Sequence, residues 1–117
     1  MIVLSGILLG CDGLVKVNES VLHLSIESEP TGGDVYWRIS STTTDVKSSN
    51  RLHLGMTPYR GTKTLNIPGL TFDNASSVSV VIIVEKEGYH EKSERYNLAS
   101  VLNDLEISSK FKLTPKR

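Results

Sequence analysis

Three histidines are the side chains in this sequence best suited to metal chemistry, and their spacing does not favour a metal site. His23, His53 and His90 are far apart along the chain. They form neither a His-Glu-x-x-His pair on one helix nor the close ligand pairs typical of zinc sites. We therefore expect no bound metal and no cofactor, since only a coincidence of the fold would bring these ligands together.

A second set that could do chemistry is a run of charged side chains between positions 85 and 94. It contains Glu85, Glu87, Glu91 and Glu94, with Lys86 and Lys92 among them. Paired carboxylates can act as general acid and base, but a solvated strand end with mixed charges explains the pattern more simply. The glycine-rich phosphate loops and the Gly-x-Ser-x-Gly hydrolase motif are absent from the sequence. We therefore assign no catalytic residue, and a small enzyme is the least favoured interpretation.

Composition narrows the classes of protein further. The chain has 117 residues, enough for one domain with a single modest core. Its 13 basic residues balance 13 acidic ones, so no positive field attracts nucleic acid. Because Cys11 is the only cysteine, an intramolecular disulfide and a cysteine zinc cluster are both excluded.

The elements that would position any site are predicted to be strands. Alternation of apolar and polar residues indicates strands over 21–27, 35–39, 62–67 and 107–113, and shorter extended pieces fit 52–54 and 91–96. The run 78–84 is apolar on both faces, which is typical of the middle of a sheet. Helical spacing over 98–105 predicts a short helix or a loop. The fold class predicted is all-β, a small antiparallel β-sandwich of about six to seven strands.

Proline and glycine mark the corners of this sandwich. The segment 28–34 joins the first two strands, which we expect to form a hairpin, and a second turn follows at 55–59. Segments 40–50 and 73–77 are rich in polar turn formers and are predicted to be exposed loops.

Aromatic residues near the two turns are the best candidates for binding. Trp37 shares the face of Val35 and Ile39, so we assign it to the core. The candidate binding surface consists of Tyr36, Tyr59, Arg38 and Arg60, because aromatic residues can stack on sugars or anchor a protein interface.

The first residues look like an export signal. Residues 1–9 form an uncharged apolar run, too short for the roughly 20 residues of a membrane-spanning helix. Leu8-Leu9-Gly10-Cys11 resembles the bacterial lipobox, in which the cysteine is acylated after cleavage. We therefore assign 1–10 to a lipoprotein signal peptide, 11–20 to the lipidated cysteine and its tether, and 21–115 to the folded domain. Such signals normally begin with basic residues, which are missing here, so the start of the signal peptide could be truncated. The alternative is a buried apolar strand with an inert cysteine.

The body of the chain resembles the PEGA domain, a small β-sandwich module of bacterial and archaeal surface-associated proteins. The residues that carry the resemblance are turn formers and their neighbours: Ser28, Pro30, Gly32, Gly33, Val35, Tyr36, Gly55, Thr57, Pro58, Gly88 and Tyr89. The resemblance covers 22–115 and implies the fold, with no catalytic residue. This chain departs from the family in two longer loops, 40–54 and 68–77, where a specific function would reside.

Together these features predict a non-enzymatic envelope lipoprotein. It would be anchored to the bacterial cell envelope through Cys11, on the periplasmic face or at the cell surface, and bind another envelope protein or a glycan but no nucleic acid. Its role would be that of a protein-interaction or structural subunit, which could also oligomerise within an assembly. The alternative function is a carbohydrate- or peptidoglycan-binding module that uses surface aromatics.

Overall fold

The chain folds as two β-sheets that enclose one core. The structure is a computed structural model that describes residues 18–116. Within them lie seven strands: β1 Val21–Glu29, β2 Asp34–Ser41, β3 Leu52–Met56, β4 Tyr59–Thr64, β5 Val78–Glu85, β6 Lys92–Asn97 and β7 Glu106–Lys112. The three-stranded sheet has the order β4-β1-β7, and the four-stranded sheet has the order β3-β2-β5-β6. The all-β prediction is confirmed.

The corner at 30–33 carries the chain from one sheet to the other. β1 pairs with β4 and β7, whereas β2 pairs with β3 and β5. The predicted hairpin between β1 and β2 is therefore wrong. The two strands lie in different sheets because each has an apolar face. Two apolar faces bury more surface when they are stacked across a core than when the strands pair edge to edge.

One strand pair departs from the predicted antiparallel pattern. β1 and β7 run parallel, from the pair His23 and Glu106 to the pair Glu29 and Lys112, while the other four strand pairs are antiparallel. A parallel pair needs a crossover rather than a tight turn. The whole chain between β1 and β7 makes that crossover, and its last step is α1, the helix Leu98–Asp104, which leads from β6 in one sheet to β7 in the other.

The helix begins and ends with recognisable capping. The side-chain oxygen of Asn97 accepts a hydrogen bond of 3.0 Å from the Ala99 N–H, as an N-cap residue does. Leu105 ends the helix with φ of 54°, and its N–H donates to the Val101 carbonyl at 2.7 Å. Leu98 and Val101 are buried in the core. The predicted short helix is confirmed, and it is fixed to the sandwich by these two side chains.

The core lies between the two sheets and takes alternate residues from each strand. Val35, Trp37 and Ile39 point inward from β2, and Trp37 is only 5% exposed, as predicted. β5 is an inner strand of its sheet and is buried on both faces, since Val81 and Ile83 on its outer side are also covered. This confirms the prediction that the run 78–84 occupies the middle of a sheet.

β4 begins and ends earlier than predicted. The sequence pattern placed this strand over 62–67, but it spans Tyr59–Thr64. Residues beyond it remain extended, because the Leu65 carbonyl accepts from the Glu19 N–H and the Leu65 N–H donates to the Ser20 carbonyl, both at 2.8 Å. Leu65 and Ile67 are buried, so the predicted inward face is correct.

Candidate functional site

The predicted binding residues do not form one surface. Tyr36 and Arg38 lie on the outer face of the four-stranded sheet, opposite the core side of Trp37. Tyr59 lies opposite Ile26 on the inner face of the three-stranded sheet. Arg60 is exposed on the outer face of that sheet, 3.6 Å from the Glu27 carboxylate. Only Tyr36 and Arg38 share a face.

Tyr59 is held inward because two glycines make room for its ring. It is half-buried and packs against the core. A Cβ added at Gly55 would lie 2.9 Å from the Tyr59 ring, and one added at Gly61 would lie 2.6 Å from its hydroxyl. Any side chain at these glycines would therefore displace the ring. The Tyr59 ring therefore faces the core between β3 and β4, and its flat face is not open for stacking on a ligand.

Tyr36 belongs to an exposed polar cluster on β2 and β3. Its ring centroid is 5.2 Å from that of His53, and the Arg51 guanidinium lies 5.6 Å from it. Arg51 donates to Glu91 at 2.8 Å, and His53 lies 3.0 Å from the Asp34 carboxylate. The Arg51–Glu91 ion pair is solvent-exposed, so it contributes about 1 kcal/mol or less.

The electrostatics of this cluster keep Tyr36 neutral. Partial desolvation raises the pKa of Tyr36, and the carboxylates of Glu85 and Asp34 raise it further, while Arg51 opposes them. The pKa of Arg51 is itself raised, chiefly by its hydrogen bond to Glu91. A neutral phenol beside a permanent cation can donate a hydrogen bond or stack, but it is a poor general base near neutral pH.

The charged run at 85–94 is divided between two places. Glu85, Glu87 and Glu91 surround a shallow polar hollow of about 340 Å³. Glu94 instead faces the other side of β6, where it accepts hydrogen bonds from Tyr96 at 2.8 Å and from Ser109 at 3.1 Å. The four glutamates do not converge on one point. Within residues 18–116, no group of three or more His, Cys, Asp or Glu side chains is arranged to hold a metal ion.

The segments 40–50 and 68–77 pack against each other at one end of the sandwich, which we call the loop end. The Thr42 N–H donates to the Ser77 carbonyl at 3.0 Å, and Gly69 lies against the Asp45 carbonyl with φ of 85°. Val46 is only 3% exposed and belongs to the core. The prediction of a fully exposed loop over 40–50 is therefore wrong at Val46, because the loop folds back to cover the end of the core.

A cleft opens beside these loops, between the edge strands β3 and β4. Its volume is about 260 Å³, and we call it the Trp37 cleft. Its apolar lining comes from Trp37, Ile39, Leu52, Leu65 and Ile67, and its rim carries Lys47, Ser49, Asn50, Lys63 and Asn66.

The rim of the Trp37 cleft is cationic. The Lys63 ammonium lies 5.7 Å from the Trp37 ring centroid, within range of a cation–π contact. None of the described residues that line the cleft is acidic. Neither Lys47 nor Lys63 has an ion pair within 4.0 Å in the part of the chain the structure covers. The cleft therefore offers an apolar floor with two uncompensated positive charges.

Sequence reasoning did not identify this cleft, although one signal was present. Lys63 alternates in phase with Leu65 and Ile67, so a lysine stands on the inward face of β4. A charged residue on an apolar face indicates either a strand end or a site. Lys47 gave no comparable signal, because only the folding of its loop brings it to the same rim.

The predictions for the first residues lie outside the described chain. These are the signal peptide over 1–10, acylation of Cys11 and most of the tether over 11–20. The described chain begins with Asn18, whose side chain bonds both the N–H and the carbonyl of Ile67 at the loop end. Among residues 18–116, no helix has the length and apolar character needed to cross a bilayer.

The chain can be interpreted only from its fold and from the geometry described above. No family model matches the chain, and neither the curated proteins nor the solved structures contain a match. What can be stated is the class of fold, a seven-stranded all-β domain of two sheets with one short helix.

Proposed function

We propose that this chain is a lipid-anchored, non-enzymatic subunit of the bacterial cell envelope that binds another envelope protein. The observation that carries the proposal is the Trp37 cleft. It is bordered by the edge strands β3 and β4 and by the loops of the loop end. Binding residues commonly ride on loops that a rigid scaffold positions. The cleft fits that arrangement, with an apolar floor for contact area and lysines for orientation.

The anchoring part of the proposal rests on the sequence around Cys11. Leu8-Leu9-Gly10-Cys11 resembles a lipobox, and acylation by two or more chains would hold the domain stably on a bilayer. Asn18 lies seven positions after Cys11, a reach of about 23 Å at ~3.3 Å per residue. Because Asn18 bonds Ile67, which also lines the Trp37 cleft, this tether would keep the cleft close to the membrane.

The resemblance to the PEGA domain stays a proposal that rests on turn motifs in the sequence. The two turn motifs that carry it, around Pro30 and Pro58, meet in space, where the Thr57 hydroxyl bonds both Ser28 and Gly33. This explains why both motifs would be needed together. The contact is structural and brings no catalytic group with it.

The test of anchoring is membrane fractionation of the full chain expressed in a bacterial host. We expect the wild type in the membrane fraction, labelled by radioactive palmitate, and Cys11→Ala in the soluble fraction without label. Asp12→Asn serves as the matched control because it changes the neighbouring residue and keeps the thiol. Membrane retention of Cys11→Ala would contradict acylation at this residue.

The test of partner binding is co-purification from native membranes followed by mass spectrometry. We expect at least one envelope protein to co-purify with the wild type, and to be lost when Lys47 and Lys63 are both replaced by Glu. If the double variant still co-purifies with every partner of the wild type, the binding surface lies elsewhere.

Glycan binding is a weaker second candidate. Tyr36 remains half-exposed beside His53 and Arg51, so one aromatic face could stack on a sugar ring. Tyr59 lies on the inner face of the other sheet and cannot share that platform. If peptidoglycan pull-down is unchanged by Tyr36→Ala, this candidate is removed.

A further inference from the structure

One of the four sheet edges differs from the others in its side chains. β3 is an edge of the four-stranded sheet and carries no Lys, Arg, Asp or Glu. Leu52 is 47% exposed and Met56 is 55% exposed. The remaining edges each carry charges, namely Arg60 and Lys63 on β4, Lys92, Glu94 and Arg95 on β6, and Glu106, Lys110 and Lys112 on β7. Charges on edge strands prevent pairing with other chains, and β3 lacks them.

The backbone of β3 is available for further pairing. It bonds β2 on one side, and in the described residues no strand lies on its other side. About half of the N–H and C=O groups of such a strand point away from the sheet and can accept another strand. The register of β2 and β3 shifts at Leu54, so an extended peptide added there would pair with the regular parts of β3 on either side of that irregularity.

The Trp37 cleft lies directly beside this edge and determines which peptide fits. Leu52 belongs both to β3 and to the cleft lining. Alternate side chains of an added strand point toward the same face, so one of them would enter the cleft. The volume of about 260 Å³ is below the roughly 300–1,000 Å³ of sites for drug-sized ligands, which favours a side chain over a cofactor.

We propose that β3 and the Trp37 cleft bind an extended acidic peptide of a partner protein by strand addition. The peptide pairs with the free edge of β3, places one apolar side chain over Trp37 and Leu52, and sets carboxylates against Lys47 and Lys63. Charge complementarity selects the acidic sequence, because both lysines lack a partner within the described chain and no carboxylate lines the cleft. The proposal rests on the proposed interaction role and defines the kind of partner.

The experiment begins with selection of linear peptides on the purified full chain. A phage-displayed library of random dodecapeptides is the probe, and an enriched sequence is then synthesised with a fluorescent label for polarisation measurements. We expect enriched sequences to alternate apolar residues and to contain Asp or Glu. Failure to enrich any sequence, or enrichment of basic ones, would overturn the proposal.

Charge reversal tests the two lysines. Lys47→Glu combined with Lys63→Glu is expected to weaken binding of the acidic peptide by about tenfold or more. The matched control is Lys110→Glu with Lys112→Glu, which reverses two exposed lysines on β7 and should leave binding unchanged. A peptide whose acidic residues are replaced by Lys should bind the Lys47→Glu, Lys63→Glu variant better than the wild type. Equal effects of the two double variants would contradict the assignment.

Backbone pairing is tested on the peptide, so that no variant of the protein has to fold. Methylation of alternate amide nitrogens in one register should weaken binding by about tenfold or more, whereas the other register should have little effect. Insensitivity in both registers would exclude strand addition. A dimer of the chain alone that Leu52→Lys abolishes would assign the edge to a second copy and would also overturn the proposal.

This result is separable from the proposed function. If peptides fail to bind while Cys11→Ala still releases the chain from membranes and a partner still co-purifies, the lipoprotein role stands and only strand addition at β3 is wrong. If fractionation fails while the acidic peptide binds, the site stands and the anchor is wrong.

Discussion

Ser28 and Thr57 lie 29 positions apart in the chain, yet their hydroxyl oxygens are 2.6 Å apart and buried. The directions of the hydrogen bonds follow from the neighbours. Ser28 Oγ donates to the Pro30 carbonyl at 2.7 Å, so the Thr57 hydroxyl must donate to Ser28. Thr57 Oγ1 in turn accepts from the Gly33 N–H at 3.0 Å. The two hydroxyls thus join the corner between the sheets to the turn between β3 and β4.

Replacing Thr57 by Val keeps the shape of the side chain and removes this hydroxyl. Because the Gly33 N–H would lose its buried acceptor, we expect the free energy of unfolding to fall by about 1–3 kcal/mol. Urea denaturation at neutral pH measures it. Thr62→Val, at an exposed position of β4, is the control and should change stability by about 0.5 kcal/mol or less. If Thr57→Val is as stable as the control, the hydrogen bonds of the Thr57 hydroxyl contribute nothing to the free energy of unfolding.

Replacing Gly69 by Ala should separate the two packed loops. The added Cβ would collide with the Asp45 carbonyl, and φ of 85° is unfavourable for any residue with a Cβ. Gly88→Ala is a matched control, since Gly88 has φ of 87° but open space around its Cβ position. We expect both variants to lose about 1 kcal/mol from backbone strain, and Gly69→Ala to lose more. Equal losses, measured by urea denaturation, would show that the loops are not in close contact.

Val46 should behave as a core residue although its loop is polar. Val46→Ala removes buried methyl groups and should cost about 1–2 kcal/mol, whereas Val21→Ala, at a side chain 42% exposed, should cost about 0.5 kcal/mol or less. The Ser49 N–H, which donates to the Ile39 carbonyl at 2.9 Å, provides a second measurement. Its hydrogen exchange should accelerate in Val46→Ala. If Val46→Ala changes neither the hydrogen exchange of the Ser49 N–H nor the free energy of unfolding, the loop is exposed, as its composition predicts.

Tyr96 should make the fold sensitive to alkali. Burial raises the pKa of Tyr96 far above its ordinary value of 10, and the hydrogen bond to Glu94 and the Glu94 charge raise it further. The folded chain therefore keeps a proton that the unfolded chain releases, so this stabilisation is fully present below about pH 10 and declines as pH rises beyond it.

Urea midpoints at pH 9 and pH 11 test this dependence. The decline between them should be smaller in Tyr96→Phe than in the wild type. Ser109→Ala keeps the phenol and removes only the second donor to Glu94, so it should retain the wild-type decline. A decline in Tyr96→Phe as large as that of the wild type would rule out this tyrosine as its source.

Local patterns were sufficient for the strands and insufficient for their pairing. Alternation over 21–27 and 107–113 identified β1 and β7 and their buried faces, because each strand buries every second residue whatever its neighbour. It could not show that these strands are parallel partners, since register depends on the whole topology. The expected hairpin after β1 failed for the same reason, as a turn of proline and glycine suits a corner between sheets as well as a hairpin.

The site was harder to predict than the fold. Trp37 was assigned correctly to the core, but its outermost edge borders a cleft that depends on Lys47 and Lys63, from segments that do not pair with each other. Tyr36 and Tyr59 were grouped because both follow turns. Gly55 and Gly61 make room for the inward Tyr59 ring, but this can be seen only once β3 and β4 have been placed in their two sheets.

The parallel pairing of β1 with β7 has a consequence for biosynthesis. Within residues 18–116, β1 is made before the other strands, yet it occupies the centre of its sheet and cannot be flanked on both sides until β7 has been made. This sheet therefore stays incomplete until β7 has been made, since contacts so distant in sequence close late.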